Sequence, residues 1–122
     1  MALKKFNDST VSKVIDILTG EVELDSNGNE MFVEFYSADS KRYRKSFAAR
    51  LKENENKKAT KKNNDELITD IIADCIISWN IEMPEGNVPL SFENAVYVLE
   101  ERRDIREMIA ETQNDRKIFL QK

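Results

Sequence analysis

Cys75 is the first residue whose chemistry can be weighed, because it is the only cysteine in the chain. A thiol becomes a nucleophile when a neighbouring base, most often histidine, removes its proton. The chain contains no histidine, so the commonest metal ligand and the commonest acid–base group at neutral pH are both missing. Cys75 lies within an apolar helical pattern, and we expect it to be a buried core residue in a reducing compartment.

Cofactor binding has no sequence signal either. The glycines stand singly at Gly20, Gly28 and Gly86, so they cannot form a phosphate-binding loop. The acidic residues lie among other charges, and no pair of them has the apolar surroundings that would raise a pKa. We therefore expect a protein that is not an enzyme and that has no cofactor and no metal.

Size and composition predict a single domain that comprises residues 1–122, with a hairpin segment at 1–37 and a helical part at 38–122. A chain of 122 residues with 40% hydrophobic and 34% charged residues can form one core beneath a charged surface. It has neither the apolar run of about 20 residues that spans a bilayer nor the apolar part of a secretory signal. The expected location is the cytoplasm, with no membrane partner.

Residues 21–36 have the pattern of a β-hairpin. Val22 and Leu24 alternate with acidic residues in the first arm, and the apolar run FVEFY makes the second arm. Asn27-Gly28 lies between the arms and favours a type I′ turn, because both residues tolerate positive φ. The preceding residues 1–18 fit either a helix or a short strand near 14–18, since their apolar residues have helical spacing but are mostly β-branched.

Beyond residue 37 the apolar spacing is that of helices. Caps and breakers predict four of them, near residues 39–61, 65–79, 91–101 and 103–119. Asp39 or Ser40 can cap the first helix, an Asn-Asn-Asp run the second and Ser91 the third. The sequence PEGN predicts a turn between the second and third helices. The expected fold class is α+β, with an N-terminal β-hairpin followed by a mainly helical body of about four helices.

The apolar faces of these helices predict the core. The residues that we expect to be mostly buried are Ile72, Ile76, Trp79, Phe92, Val96 and Leu99. Trp79 packed against Phe92 would close the connecting loop onto the core. The alternative is an exposed anchor for a partner, because tryptophan is enriched in binding hot spots. In the first helix, Tyr43, Phe47 and Leu51 fall four residues apart on one face.

Charge is strongly segregated along the chain. The basic segment, residues 41–62, has ten basic and two acidic residues and a net charge of +8. The rest of the chain has nine basic and 21 acidic residues and a net charge of −12. A basic face can bind nucleic acid, but this chain is acidic as a whole and lacks the interleaved aromatic residues that stack on bases. We expect a solvated face, or one that pairs with acidic helices of a neighbouring subunit, and no nucleic-acid partner.

The strand and the basic helix together supply the candidates for binding a protein partner. The run at 32–36 is apolar on both faces, so one face would meet the helices and the other a second copy of the chain or another protein. The basic helix would add charged contacts. The candidate partner-binding residues are Phe32, Val33, Phe35, Tyr36, Arg42, Arg44, Lys45 and Arg50.

The order of these motifs, from about residue 20 to residue 120, resembles that of a known family. The strand MFVEFYSADS runs into DSKRYR, and a basic helix and then an acidic, apolar helix that ends in SWNI follow. PLSFENA starts the next helix, and RKIFL ends the last one. This arrangement is similar to that of the small tail assembly chaperones of long-tailed phages. The chain has Ser78 where many of these proteins have glycine, and Pro84 makes its loop slightly irregular.

The resemblance implies a protein that acts during tail morphogenesis in the host cytoplasm and is absent from the mature virion. Such chaperones bind the tape measure protein, keep its hydrophobic helices soluble and help to recruit the tail tube protein. Several have a short form and a frameshifted long form, and this chain would correspond to the short one. The alternative is a stable virion tail or connector adaptor protein with a structural role. A small nucleic-acid-binding regulator is the third hypothesis.

Overall fold

The computed structural model describes residues 5–57 and 61–120. Its fold is α+β, as predicted, with an N-terminal strand hairpin that precedes the helices. The three longest strands form an antiparallel sheet in the order β1-β2-β3, and the two shortest strands form a separate hairpin. The elements are β1 (Ser9–Lys13), β2 (Phe32–Tyr36), α1 (Lys41–Glu55), α2 (Asn64–Cys75), β3 (Ile76–Trp79), β4 (Glu82–Met83), β5 (Gly86–Asn87), α3 (Phe92–Glu101), α4 (Arg103–Gln113) and α5 (Arg116–Phe119).

β2 is the central strand of the sheet. Ser9 of β1 lies opposite Tyr36 on one edge, and Val33 lies opposite Trp79 of β3 on the other edge. Val33 and Phe35 face the core and are 0% exposed. Because unpaired backbone groups are costly in such a buried position, β2 needs a partner strand on each side.

The first arm of the hairpin lies earlier in the chain than predicted. β2 pairs with Ser9–Lys13, whereas the predicted arm around Val22 and Leu24 forms only isolated bridges. Leu24 is exposed, so a regular strand there would bury little apolar surface. The segment that follows β1 instead places Val14 in the core at 1% exposure. The ambiguous residues 1–18 therefore include a strand, and it comes before the predicted position.

The turn predicted at Asn27-Gly28 is present, but it is not a type I′ turn. Gly28 has a φ of +82°, and no non-glycine residue of the described ranges has a positive φ. The N–H of Gly28 donates to the carbonyl of Asp25, and the N–H of Asp25 donates to the carbonyl of Asn29. The Asp25 carboxylate also accepts from two loop N–H groups. This acceptor stabilises a three-residue loop in which only glycine needs the left-handed region.

The second helix is shorter than predicted because the chain turns into a strand at Ile76. The predicted helix at 65–79 ends at Cys75, and β3 then pairs with the free edge of β2. β-Branched isoleucines favour a strand, and a strand can satisfy the backbone groups of β2, which a helix cannot. The part predicted to be helical, residues 38–122, thus contains three short strands as well.

The first and last predicted helices are also shorter than expected. α1 ends at Glu55, and residues 58–60 of the predicted helix at 39–61 lie outside the described ranges. The predicted helix at 103–119 is divided into α4 and α5, with Asp115 as the N-cap of α5. Asn114 and Asp115 lie between the two helices. Such residues favour caps and turns, because their side chains form hydrogen bonds with backbone groups that would otherwise bond within the helix.

The helix starts agree with the sequence. Ser40, Asn63 and Ser91 each accept a hydrogen bond from the N–H three residues later, and Asn63 forms a full capping box with Glu66. The predicted third helix, at 91–101, is confirmed as α3 with its cap. N-caps depend on a few adjacent residues, so they can be predicted without knowledge of the tertiary structure.

The predicted turn after the second helix is the small β4–β5 hairpin. Pro84 and Glu85 form its turn, and Gly86 has a φ of +120°. Trp79 closes the connection, because its indole N–H donates to the carbonyl of Val88 at 2.8 Å. The sequence predicted that packing of Trp79 closes this loop onto the core. In the structure, a hydrogen bond from Trp79 to the loop backbone also holds the loop in place.

The core lies between the sheet and the helices. Its fully buried large side chains include Phe35, Ile72, Ile81, Leu99 and Ile109. Of the predicted core residues, Ile72 and Leu99 are buried as expected. The other four, Ile76, Trp79, Phe92 and Val96, are partly buried and pack against the edge of the core, so they are mostly buried as predicted but less completely than Ile72 and Leu99. Ile76 and Trp79 belong to β3, which is an edge strand of the three-stranded sheet and has no further strand of the described residues on its outer side.

We expect Trp79→Ala to lower the free energy of unfolding by about 3 kcal/mol, because it removes a large packed ring. Trp79→Phe keeps an aromatic ring but removes the donor to the Val88 carbonyl, and should cost about 1 kcal/mol. Urea unfolding of both variants measures the difference. Wild-type stability of Trp79→Ala would show that the ring contributes no packing energy.

Candidate functional site

Helix α1 is attached to the protein by its polar side. The buried residue of α1 is Ser46, whose hydroxyl donates to the Asp74 carboxylate at 2.6 Å. Arg50 donates to both oxygens of the same carboxylate, from Nε at 2.8 Å and from Nη2 at 2.9 Å. Arg42 donates from Nε to the backbone carbonyl of Asp74 at 3.0 Å. Asp74 of α2 therefore accepts from three side chains of α1.

The environment of Asp74 favours its charged form. Burial alone would raise the pKa of Asp74, but the hydrogen bonds from Arg50 and Ser46 and the charges of Arg50 and Arg42 hold that pKa below its ordinary value. Asp74 lies in the last turn of α2, which has no basic residue of its own. A carboxylate is unfavourable at that end of a helix dipole, and the guanidinium groups of α1 offset this cost.

A second polar contact joins the other ends of the two helices. Lys62 lies 2.5 Å from the buried carboxylate of Asp70, and the amide of Asn54 is hydrogen-bonded to both backbone groups of Lys62. The described part of the basic segment thus pairs with acidic α2 of the same chain. The sequence predicted that the basic segment is solvated or pairs with a neighbouring subunit. It did not predict these ion pairs within one chain.

The eight predicted partner-binding residues fall into three groups. Two strand residues, Val33 and Phe35, are core residues without exposed surface, while Phe32 and Tyr36 are half-buried on the opposite face. This alternation confirms that one face of the strand meets the helices. Two of the basic residues, Arg42 and Arg50, belong to the cluster around Asp74. The remaining two, Arg44 and Lys45, are exposed on α1.

The apolar side of α1 faces outward. Phe47 and Leu51, one turn apart, are 47% and 42% exposed, and Ile68 of α2 is 43% exposed. These side chains converge on one depression between the two helices, unlike scattered surface apolar residues, which need no explanation. We name it the α1–α2 groove, and the residues that line it are Phe47, Leu51, Asn64, Leu67, Ile68 and Ile71.

A basic ridge runs beside this groove. Arg44, Ala48 and Lys52 follow one another at four-residue spacing and form the row of α1 next to Phe47 and Leu51. This row lies away from α2, because the α1 residues that contact α2 are on the other flank of the apolar stripe. Neither cation of the ridge forms an ion pair with a carboxylate of residues 5–57 or 61–120.

Sequence reasoning found the apolar stripe of α1 but not its outward orientation. Four-residue spacing shows that side chains share a face, and such a face is usually the buried one. The available signal was the narrowness of the stripe, because α1 has only a few large apolar residues among 15. The spacing of apolar residues also did not indicate the surroundings of Phe92. The Arg50 guanidinium carbon lies 4.5 Å from the centre of the Phe92 ring, which is only partly buried.

Cys75 is buried, as predicted, with 0% exposure. Burial, together with the nearby charge of Asp74, raises the pKa of its thiol to about 12. The thiolate is the nucleophilic form, so almost none of the reactive species is present at neutral pH. Within the part of the chain that the structure describes, no cluster of three or more acidic, cysteine or histidine side chains could hold a metal ion.

Comparisons with known proteins add no relative. The chain matches no family model, and no similar protein is found among the curated proteins or the solved structures. In residues 5–57 and 61–120, none of the helices combines the length and the apolar character needed to cross a membrane.

We expect Asp74→Asn to lower the free energy of unfolding by about 2 kcal/mol at neutral pH, because it leaves a partly buried Arg50 without its charged partner. Asp39→Asn is the matched control. It removes an equally bidentate pair with Arg116 that is exposed, and should cost less than about 0.5 kcal/mol.

Comparing wild type with Asp74→Asn at different pH values gives a second test. The folded pKa of Asp74 lies below its unfolded value, so its stabilisation is present above that value and is lost as the pH falls towards the folded pKa. Urea unfolding between about pH 5 and about pH 2 should show the gap between wild type and Asp74→Asn closing. A gap that stays constant over this range would contradict the assignment.

Proposed function

We propose that this protein is a tail assembly chaperone of a long-tailed phage. It binds the tape measure protein, keeps it soluble and helps to recruit the tail tube protein during tail morphogenesis in the host cytoplasm. The observation that carries the proposal is the α1–α2 groove, an exposed apolar surface beside two cations that have no ion-pair partner among the described residues. The resemblance of the sequence to these chaperones supplies the client.

Several residues that carry the resemblance have structural roles here. Ser40, in the DSKRYR motif, caps α1, and Ser91, in PLSFENA, caps α3. Trp79, in SWNI, closes the loop between β3 and α3 through its bond to the Val88 carbonyl. These motifs therefore support a likeness in fold, while the groove supports the capacity to bind a partner.

A chaperone of this kind acts by covering apolar surface. A long tape measure helix exposes contiguous apolar side chains, and such surface drives association in water. A small protein that covers one stretch of the helix presents its own charged exterior to the solvent. Many copies along one client make binding multivalent, so weak contacts suffice and remain reversible when tail tube protein displaces them.

Co-expression with the phage tape measure protein tests the proposal. The tape measure protein should move from the insoluble to the soluble fraction when this chain is present, and the two should co-purify. An equally insoluble tape measure protein, with and without this chain, would reject the chaperone function.

Mass spectrometry of purified virions separates the alternative hypothesis. A chaperone should be absent from virions, whereas a stable tail or connector adaptor should be present in a fixed copy number. Detection at fixed stoichiometry would favour the adaptor even if the tape measure protein were solubilised.

A further inference from the structure

We propose that the α1–α2 groove binds an amphipathic helix of a partner protein, and that acidic residues beside the apolar stripe of this helix contact the basic ridge. The inference rests on the proposed function only for the identity of the partner. The site and the chemistry of its occupant follow from the contacts of α1.

The geometry of the groove favours a helix as its occupant. Arg42 near the start of α1 contacts Asp74 near the end of α2, and Asn54 near the end of α1 contacts Lys62 just before α2. The two helices are therefore antiparallel, and a third helix can pack its ridge of side chains into the seam between them. A helix satisfies its own backbone groups, which matters because the groove is lined by two helices and offers no strand edge.

The orientation of α1 shows that the groove is unusual for a folded surface. A helix of a globular protein normally buries its apolar stripe and exposes its polar side. α1 departs from this pattern, since its polar Ser46 is 7% exposed and its apolar Phe47 is 47% exposed. Of its apolar stripe, only Tyr43 is partly buried. A helix in the groove would cover Phe47, Leu51 and Ile68 together and would give α1 the apolar packing that it lacks.

The charges around the groove favour an acidic flank on that helix. On one side, Arg44 and Lys52 of the basic ridge have no ion-pair partner among residues 5–57 and 61–120, and the contact given for Arg44 is a hydrogen bond from its Nε to the Ser40 carbonyl at 3.4 Å. On the other side, Asp65 of α2 is already paired with Arg103 and Arg106, at 2.9 Å each, and adds no free negative charge. Glu55, at the end of α1, is the exposed acidic residue nearest this flank. The groove is thus apolar along its floor and positive along one rim.

Two designed peptides of about 18 residues, long enough for about five helical turns, test the charge preference. Both have leucines along one stripe, with glutamates beside the stripe in one peptide and lysines in the other. Fluorescence anisotropy at about 50 mM salt should give a dissociation constant about tenfold lower for the glutamate peptide. At about 1 M salt the two values should converge, because the Debye length falls to about 3 Å.

Matched variants of the full chain test the site. Leu51→Gln removes an apolar contact and leaves all charges in place, and should weaken binding of the glutamate peptide about tenfold. Ile118→Gln removes an apolar side chain of similar exposure, 46%, from α5 and should leave binding unchanged. Lys52→Gln should reduce the preference for glutamate over lysine, and Lys117→Gln on α5 should not. Circular dichroism confirms that each variant is folded.

Three results would overturn the inference. Equal binding of the two peptides at low salt would exclude the acidic flank, and equal binding by Leu51→Gln and Ile118→Gln would exclude the groove. Concentration-dependent self-association in the analytical ultracentrifuge that Leu51→Gln abolishes would show that a second copy occupies the groove. Failure of the chaperone function would look different, because peptide binding would be intact while the tape measure protein remained insoluble.

Discussion

The arrangement of the protein depends on β2, a strand that must be paired on both edges and enclosed on one face. Its inward residues, Val33 and Phe35, have no exposed surface, so every backbone group near them needs an internal partner. β1 supplies one edge and β3 the other. This need explains why α2 stops at Cys75 although its apolar pattern continues, and why Trp79 lies at the margin of the core.

The second determinant is the polar attachment of α1. Asp74 accepts hydrogen bonds from Ser46, Arg50 and Arg42, so the charge segregation of the sequence is partly an internal device that joins α1 to α2. Removing one partner from such a cluster is costly, whereas the cluster as a whole adds little net stability. Its clearer effect is on orientation. Because the polar side of α1 faces inward, the apolar side faces the solvent.

Local features could be predicted from the sequence, and features that depend on distant contacts could not. The cap Ser91 was predicted, and the caps Ser40 and Asn63 were among the candidates, because a cap depends on three or four adjacent residues. The identity of the strand that pairs with β2 depends on which segment occupies a free edge of β2, and so does the residue at which α2 ends. The spacing of apolar residues within a segment does not indicate this. The groove was missed for a related reason, since the stripe of Phe47 and Leu51 has the same spacing whether it faces the core or the solvent.

The polar attachment of α1 also implies that this helix opens locally more readily than the apolar helix α3. Opening it breaks a few hydrogen bonds and ion pairs but exposes little apolar surface, so the free energy of local opening is well below that of global unfolding. Amide hydrogens of α1 should then exchange through local fluctuation, while those of α3, whose Ala95, Val98 and Leu99 are fully buried, wait for larger openings. A partner in the groove would bind only the closed form, and the protection factors of α1 would rise with its concentration.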